Sequence, residues 1–162
     1  MGDNRIHIHD EVENEGYAPS PLMLLYHINL GYPLLSEDTV LETNCTDLWA
    51  ESDGAIAGMD RATAFEAPTP AYEEQVFFRK APASATARVT NPQLGMSVSL
   101  AFSGDQLPYF TEWKQMGEQD YVLGVEPGTF IPLGRKTARE RGELLTITPG
   151  ERKRFDVVIG VE

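Results

Sequence analysis

The chain reads as an all-β protein, an antiparallel β-sandwich. Short apolar segments of strand length recur from one end to the other, and 14 glycines and 11 prolines punctuate them. No stretch carries a long apolar stripe at the 3.6-residue helical period. Roughly eight short strands separated by such turns are the pattern of a sandwich. With 162 residues, one domain spanning 1–162 is expected, large enough to bury a core. No internal repeat or low-complexity tract divides it.

The elements follow in order. Arg5–Asp10 alternates strictly, with Ile6 and Ile8 on one face and His7 and His9 on the other. Two same-face histidines could begin a metal site, but no third ligand at a recognisable spacing follows, so a solvated strand face is expected and no metal is assigned. The acidic run Glu11–Gly16 ends in a turn signal, and Pro19 and Pro21 bracket an extended connection. Leu24–Leu35 is apolar except for His27 and Asn29, which alternation sends to one face near a Gly31/Pro33 break. Thr39–Thr43 is a short strand. Residues 44–61, with weak periodicity, read as loop with at most a helical turn, and Ala67–Ala71 as a polyproline-like connector.

Gln75–Phe78 is a β-prone strand with a polar start. Ala85–Thr90 and Leu94–Phe102 form a hairpin through Asn91-Pro92-Gln93. Leu107–Trp113 is an aromatic-rich strand, Met116–Asp120 a turn, and Tyr121–Gly128 an apolar strand ending in Glu126 and a break. Residues 134–142 are locally basic. Glu143–Thr148 and Arg154–Val161, joined by Pro149-Gly150, are expected to close the chain as a second hairpin.

Charge narrows the partners. Lys and Arg number 13 against 25 Asp and Glu, a formal charge of -12. Nucleic acid and anionic membrane bind through Lys and Arg that neutralise phosphates, so neither is expected as a partner. A small molecule is. Cys45 is the only cysteine, so no internal disulfide forms and a reducing, cytoplasmic location is expected. No uncharged apolar run approaches the roughly 18 residues of a membrane span, and the N-terminus lacks the apolar core of a signal peptide.

Two polar strand ends stand out: His27 and Glu126. Each follows apolar residues and precedes a Gly/Pro break. A histidine and a glutamate facing one ligand make a competent acid–base pair, because reference pKa values of about 6.5 and 4.3 let one donate while the other accepts near neutral pH. The plain alternatives are a buried histidine satisfied by backbone and a surface carboxylate.

Tyr26-His27-Ile28-Asn29-Leu30-Gly31-Tyr32-Pro33-Leu34-Leu35, with Val12-Glu13-Asn14-Glu15-Gly16 ahead of it, resembles the aldose 1-epimerase-like proteins of the galactose mutarotase-like superfamily. Gly124-Val125-Glu126-Pro127 matches the later Glu-Pro strand of that family. Glu74–Phe78, Trp113-Lys114, Gly134-Arg135, Gly142-Glu143-Leu144 and Pro149-Gly150-Glu151 follow in the family's order.

The resemblance implies a galactose mutarotase-like supersandwich, here partial, because family domains are longer and this chain resembles their C-terminal part. It implies that His27 and Glu126 are the catalytic acid and base, placed on opposite sides of a sugar ring, with no cofactor. Tyr26 stands where the epimerases have a polar residue before the histidine. Asn29, Gln75 and Arg135 are candidates to hydrogen-bond sugar hydroxyls. Tyr32, Trp113 or Phe130 could face the sugar's C–H surface, although aromatics also fill cores and Arg135 could simply pair with surplus acids. A half-sandwich leaves edges and an apolar face to cover, so a homodimer is expected. A non-catalytic carbohydrate-binding domain, or a piece of a larger epimerase, stays open beside the isomerase reading.

Overall fold

The computed structural model describes residues 3–162; Met1 and Gly2 lie outside the described residues. Among the described residues twelve strands are formed: β1 Arg5–Glu13, β2 Ser20–Pro21, β3 Ile28–Gly31, β4 Val40–Thr43, β5 Thr46–Ala50, β6 Gln75–Lys80, β7 Ala85–Asn91, β8 Met96–Phe102, β9 Tyr109–Met116, β10 Tyr121–Gly128, β11 Thr146–Ile147 and β12 Arg152–Val161. Two short helices, α1 (Asp53–Ala57) and α2 (Arg135–Glu140), and a 3-10 turn at Met59–Arg61 complete the elements. No helix among the described residues is long and apolar enough to cross a membrane.

Two five-stranded antiparallel sheets face each other, in the orders β1-β12-β8-β7-β4 and β3-β10-β9-β6-β5. Alternation in each strand sends one set of side chains into the space between them. Leu41, Val89, Leu100, Phe102, Phe155 and Val157 from the first sheet meet Phe110, Met116, Leu123 and Val125 from the second. Phe102 and Phe110 stack across the gap with centroids 6.2 Å apart. Burial of this apolar set is the main force holding the sheets together.

The architecture matches the sequence reading, and several elements differ in detail. β1 runs on past Asp10 to Glu13, into the acidic run that leads to the turn. Its outward carboxylates find cross-strand cations: Arg152 bonds Glu11 at 3.0 Å and Glu13 at 2.7 Å, and Arg154 bonds Glu11 at 3.0 Å. Arg154 holds the Glu11 carboxyl below its usual range. β5 was hidden by irregular backbone, since Asp47 has φ 54° and the pairing with β6 shifts register between Thr46 and Trp49. β9 continues through Met116, which is fully buried. The basic stretch becomes α2, entered through Gly134 at φ 92°.

The expected closing hairpin does not form. β12 pairs with β1 over nine residues and with β8 over five, while β11 turns aside to β2. The long outer strand offers β12 far more hydrogen bonds than a two-residue neighbour could. Buried Asn14 ties the region together, donating from Nδ2 to the carbonyls of Ala18 and Ile147, each at 2.9 Å.

Inside the second sheet lie charges that need partners. Arg79 and Glu112 pair at 2.6 Å and both are buried. Lys114, fully buried, donates to the carbonyls of Ala64 at 2.6 Å and Arg61 at 3.3 Å. These bonds offset desolvation of the ammonium.

His7 and His9 stack on the exposed face of β1, where His9 contacts Asp156 at 2.6 Å. Among the described residues, no group of three or more His, Cys, Asp or Glu is placed to hold a metal ion.

Candidate active site

Strand register builds the site on the outer face of the second sheet. Glu126 on β10 pairs with Thr111 on β9, which pairs with Phe78 on β6. One pleat away, Asn29 on β3 pairs with Gly124, Gly124 with Trp113, and Trp113 with Val76. The β3 ladder stops at Ile28–Val125, yet its register resumes in the bridge from Leu25 to Gly128. His27, just before β3, therefore faces Glu126.

His27 Nε2 lies 3.0 Å from Glu126 Oε1, with the glutamate side chain 3% exposed and the imidazole 47% exposed. Imidazole and carboxylate touch directly, from neighbouring positions on one face of one sheet. Burial raises the Glu126 carboxyl to about 7, and the His27 charge works in the other direction. Oε1 is buried and, beyond the His27 contact, meets no hydrogen-bond partner among the described residues. Such a carboxyl holds its proton loosely near neutral pH, which suits proton exchange.

The neighbours shape the pair. His27 Nδ1 is 2.8 Å from Asn29 Oδ1. Trp113 sets its ring edge-on to the imidazole, at 5.5 Å between centroids and 69° between planes. Gly124 makes this possible: a methyl there would stand 3.1 Å from Trp113 Cβ and would overlap Glu126 Oε1. The indole Nε1–H donates to Glu74 Oε2 at 2.8 Å, fixing the ring. Beyond Trp113, a cleft of about 670 Å³ opens along Glu74, Val76, Phe78 and Leu133, with Glu51–Gly54 on its far side. Its walls lie beside the His27–Glu126 pair and do not include it.

His27, Glu126, Asn29 and Trp113 are thus brought together. The other candidates are not. Gln75 lies on the opposite face of β6, in register with Lys114, and its Nε2–H donates to the Gly54 carbonyl at 3.2 Å. Arg135 is exposed on α2 with no hydrogen bond or ion pair to the site, and Tyr32 is 83% exposed beyond the end of β3. Phe130 is half-buried in the segment after β10.

Three neighbours were not named as site residues from the sequence: Glu74, Thr111 and Gly124. Thr111 is 1% exposed and its hydroxyl has no partner. The spacing Gly124-Val125-Glu126 did carry a signal, because a glycine two residues before a functional carboxylate lies on the same strand face.

Two facing antiparallel sheets in this order form a galactose mutarotase-like β-sandwich. A candidate aldose 1-epimerase from Klebsiella pneumoniae superposes with a TM-score of 0.94 at 28% identity, over 99% of this chain and 43% of that one. The chain belongs to the family described as a domain of unknown function, DUF4432, which it matches over residues 1–161. A galactose mutarotase related enzyme from Lactobacillus acidophilus superposes at 0.74 with 10% identity, covering 100% of this chain and 59% of that one. A candidate aldose 1-epimerase from Escherichia coli K12 gives 0.66 at 16%, covering 98% and 56%. The chain thus spans about half the length of these solved relatives. No curated protein matches it significantly.

Proposed function

We propose that the chain carries the acid–base machinery of an aldose 1-epimerase-type isomerase, which interconverts the anomers of a sugar. The observation that carries this reading is the 3.0 Å contact between His27 Nε2 and a buried Glu126 Oε1 that meets no other hydrogen-bond partner among the described residues. The solved relatives described as aldose 1-epimerase candidates support it.

Glu126 takes the proton of the anomeric hydroxyl while the His27 imidazolium gives its Nε2 proton to the ring oxygen. The bond from the anomeric carbon to the ring oxygen breaks and an aldehyde forms. Rotation about the next carbon–carbon bond exposes the other face of the carbonyl. On reclosure His27 Nε2 takes back the proton from the attacking hydroxyl, and Glu126 returns its own to the carbonyl oxygen. No proton is gained or lost over the cycle, and each group ends as it began. Both reacting oxygens are bonded to one carbon, so an adjacent acid and base can reach them from one side. Trp113 offers the sugar's C–H face an aromatic surface.

Polarimetry of a freshly dissolved anomer tests the reading. The protein accelerates equilibration of a cognate aldose; Glu126→Gln and His27→Asn each remove about 100- to 10,000-fold of that acceleration. The two losses are non-additive, because each transfer needs the other. A second reading, a carbohydrate-binding domain without catalysis, is favoured by the coverage of only 43% of the Klebsiella relative. Sugar binding without acceleration, across a panel of neutral and acidic sugars, would select it.

A further inference from the structure

Asn29 stands beside His27, and its placement answers which imidazole nitrogen works. Its Oδ1 is 2.8 Å from Nδ1, while Nε2, on the opposite edge of the ring, meets Glu126. A neutral imidazole carries one N–H, and the hydrogen bond at one nitrogen decides which it is. An amide oxygen only accepts, so its contact with Nδ1 favours the N–H there, against an ionised Glu126 carboxylate, which would favour one at Nε2. Nε2 is left as the nitrogen that gains and loses a proton.

We propose that Asn29 is a positioning residue: its side-chain carbonyl holds His27 as the Nδ1–H tautomer, so that Nε2 alone faces Glu126 and exchanges protons with a bound sugar. This rests on the acid–base reading of the pair. An unconstrained imidazole side chain favours the Nε2–H tautomer, so a partner at Nδ1 is needed to invert it. Gly124, in register with Asn29 on the next strand, has no side chain to offer one. Asn29 makes the one side-chain hydrogen bond to Nδ1 among the described residues.

The arrangement also suits both halves of the cycle. The imidazolium before transfer and the neutral ring after it both carry Nδ1–H. Asn29 therefore keeps the same bond while the proton on Nε2 comes and goes, and nothing must turn between steps. A ring in the other tautomer would present Nε2–H to the carboxylate in its neutral form. It could not take the proton back on reclosure.

Two-bond proton–nitrogen NMR correlations read the tautomer directly, and only three histidines are present. Above the pH at which the ring becomes neutral, wild-type His27 shows a protonated Nδ1 and a bare Nε2. Asn29→Leu returns it to Nε2–H, and Asn29→Asp, which keeps an acceptor, retains Nδ1–H. His7 and His9 are unchanged and serve as internal controls. In polarimetry Asn29→Leu lowers kcat about 100-fold or more with little change in KM, since a wrong tautomer disables the acid–base step; Asn29→Asp restores much of the loss. A wild-type His27 in the Nε2–H form overturns the proposal, as does a variant whose KM rises while kcat holds, because that marks Asn29 as a sugar contact. The tautomer is read without sugar, so a protein that accelerates no anomerisation sinks the epimerase reading and leaves this assignment to stand on the NMR result.

Discussion

Gly124 lies on the same strand face as Glu126, one pleat away, and the carboxylate leans back into the space a side chain would fill. The missing Cβ is what lets a buried carboxylate reach His27 and lets the Trp113 ring meet the imidazole edge-on.

Gly124→Ala is therefore expected to remove most mutarotation, by about 100-fold, with the fold retained. The carboxylate must swing away from the new methyl, losing its contact with His27. Polarimetry and a thermal melt on one preparation check it. Full activity in the alanine variant would mean that Glu126 works from another rotamer.

Glu126 couples activity to stability. Below its unfolded pKa of 4.5 the carboxyl is protonated in both states and costs nothing. As pH rises from 4.5 to about 7 the unfolded chain releases the proton first, so native stability falls across that window. The full difference is on the order of 3 kcal/mol. Glu126→Gln removes this dependence, so the inactive variant is the more stable at pH 8 and the advantage vanishes near pH 4.5. Urea unfolding at the two pH values measures it.

The same group sets the acidic limb of the pH profile. kcat/KM for anomerisation is expected to fall below about pH 7 as Glu126 is protonated in the free protein. A stopped polarimetric series from pH 5 to 8 locates the midpoint. A limb near the ordinary glutamate value would point to a carboxylate that is solvated in solution.

Arg79 and Glu112 form a buried pair whose halves do not stand alone, and burial pushes the Glu112 carboxyl up against the Arg79 charge. Arg79→Met leaves a buried acid without its cation and is expected to cost about 3–5 kcal/mol. Adding Glu112→Gln recovers much of that. Chemical denaturation of the three variants completes the cycle, and additive losses would mean that the two side chains are not coupled.

Exposed apolar groups bear on assembly. Ile6 on the edge strand β1 is 62% exposed although its strand position points inward, and Tyr32 is 83% exposed. Sedimentation at micromolar concentration is expected to show a homodimer, and Ile6→Lys to shift it toward monomer.

Much of the fold was legible because burial alternates along β4, β7 and β8, and because β9 and β10, largely buried on both faces, read as aromatic or apolar strands. β5 was illegible because a positive φ at Asp47 and a register shift break its alternation. His27 and Glu126 could be named from their neighbours, but their contact could not. It depends on two strands nearly a hundred positions apart meeting in one register. The side of the sheet on which Gln75 falls is likewise a matter of partner, since its face is set by Lys114 across the ladder.

Residues 111 and 113 of β9 face the candidate site, while Glu112 and Lys114 face inward to Arg79 and to the carbonyls of Ala64 and Arg61. A slip of β9 by a single residue would drive the indole into the ion pairs and thrust an ammonium into the cleft. The inward charges thus act as a key that fits in one position only. Insertions among the exposed residues 118–120 between β9 and β10 should be absorbed at the surface, whereas one added residue within β9 should cost both fold and site together.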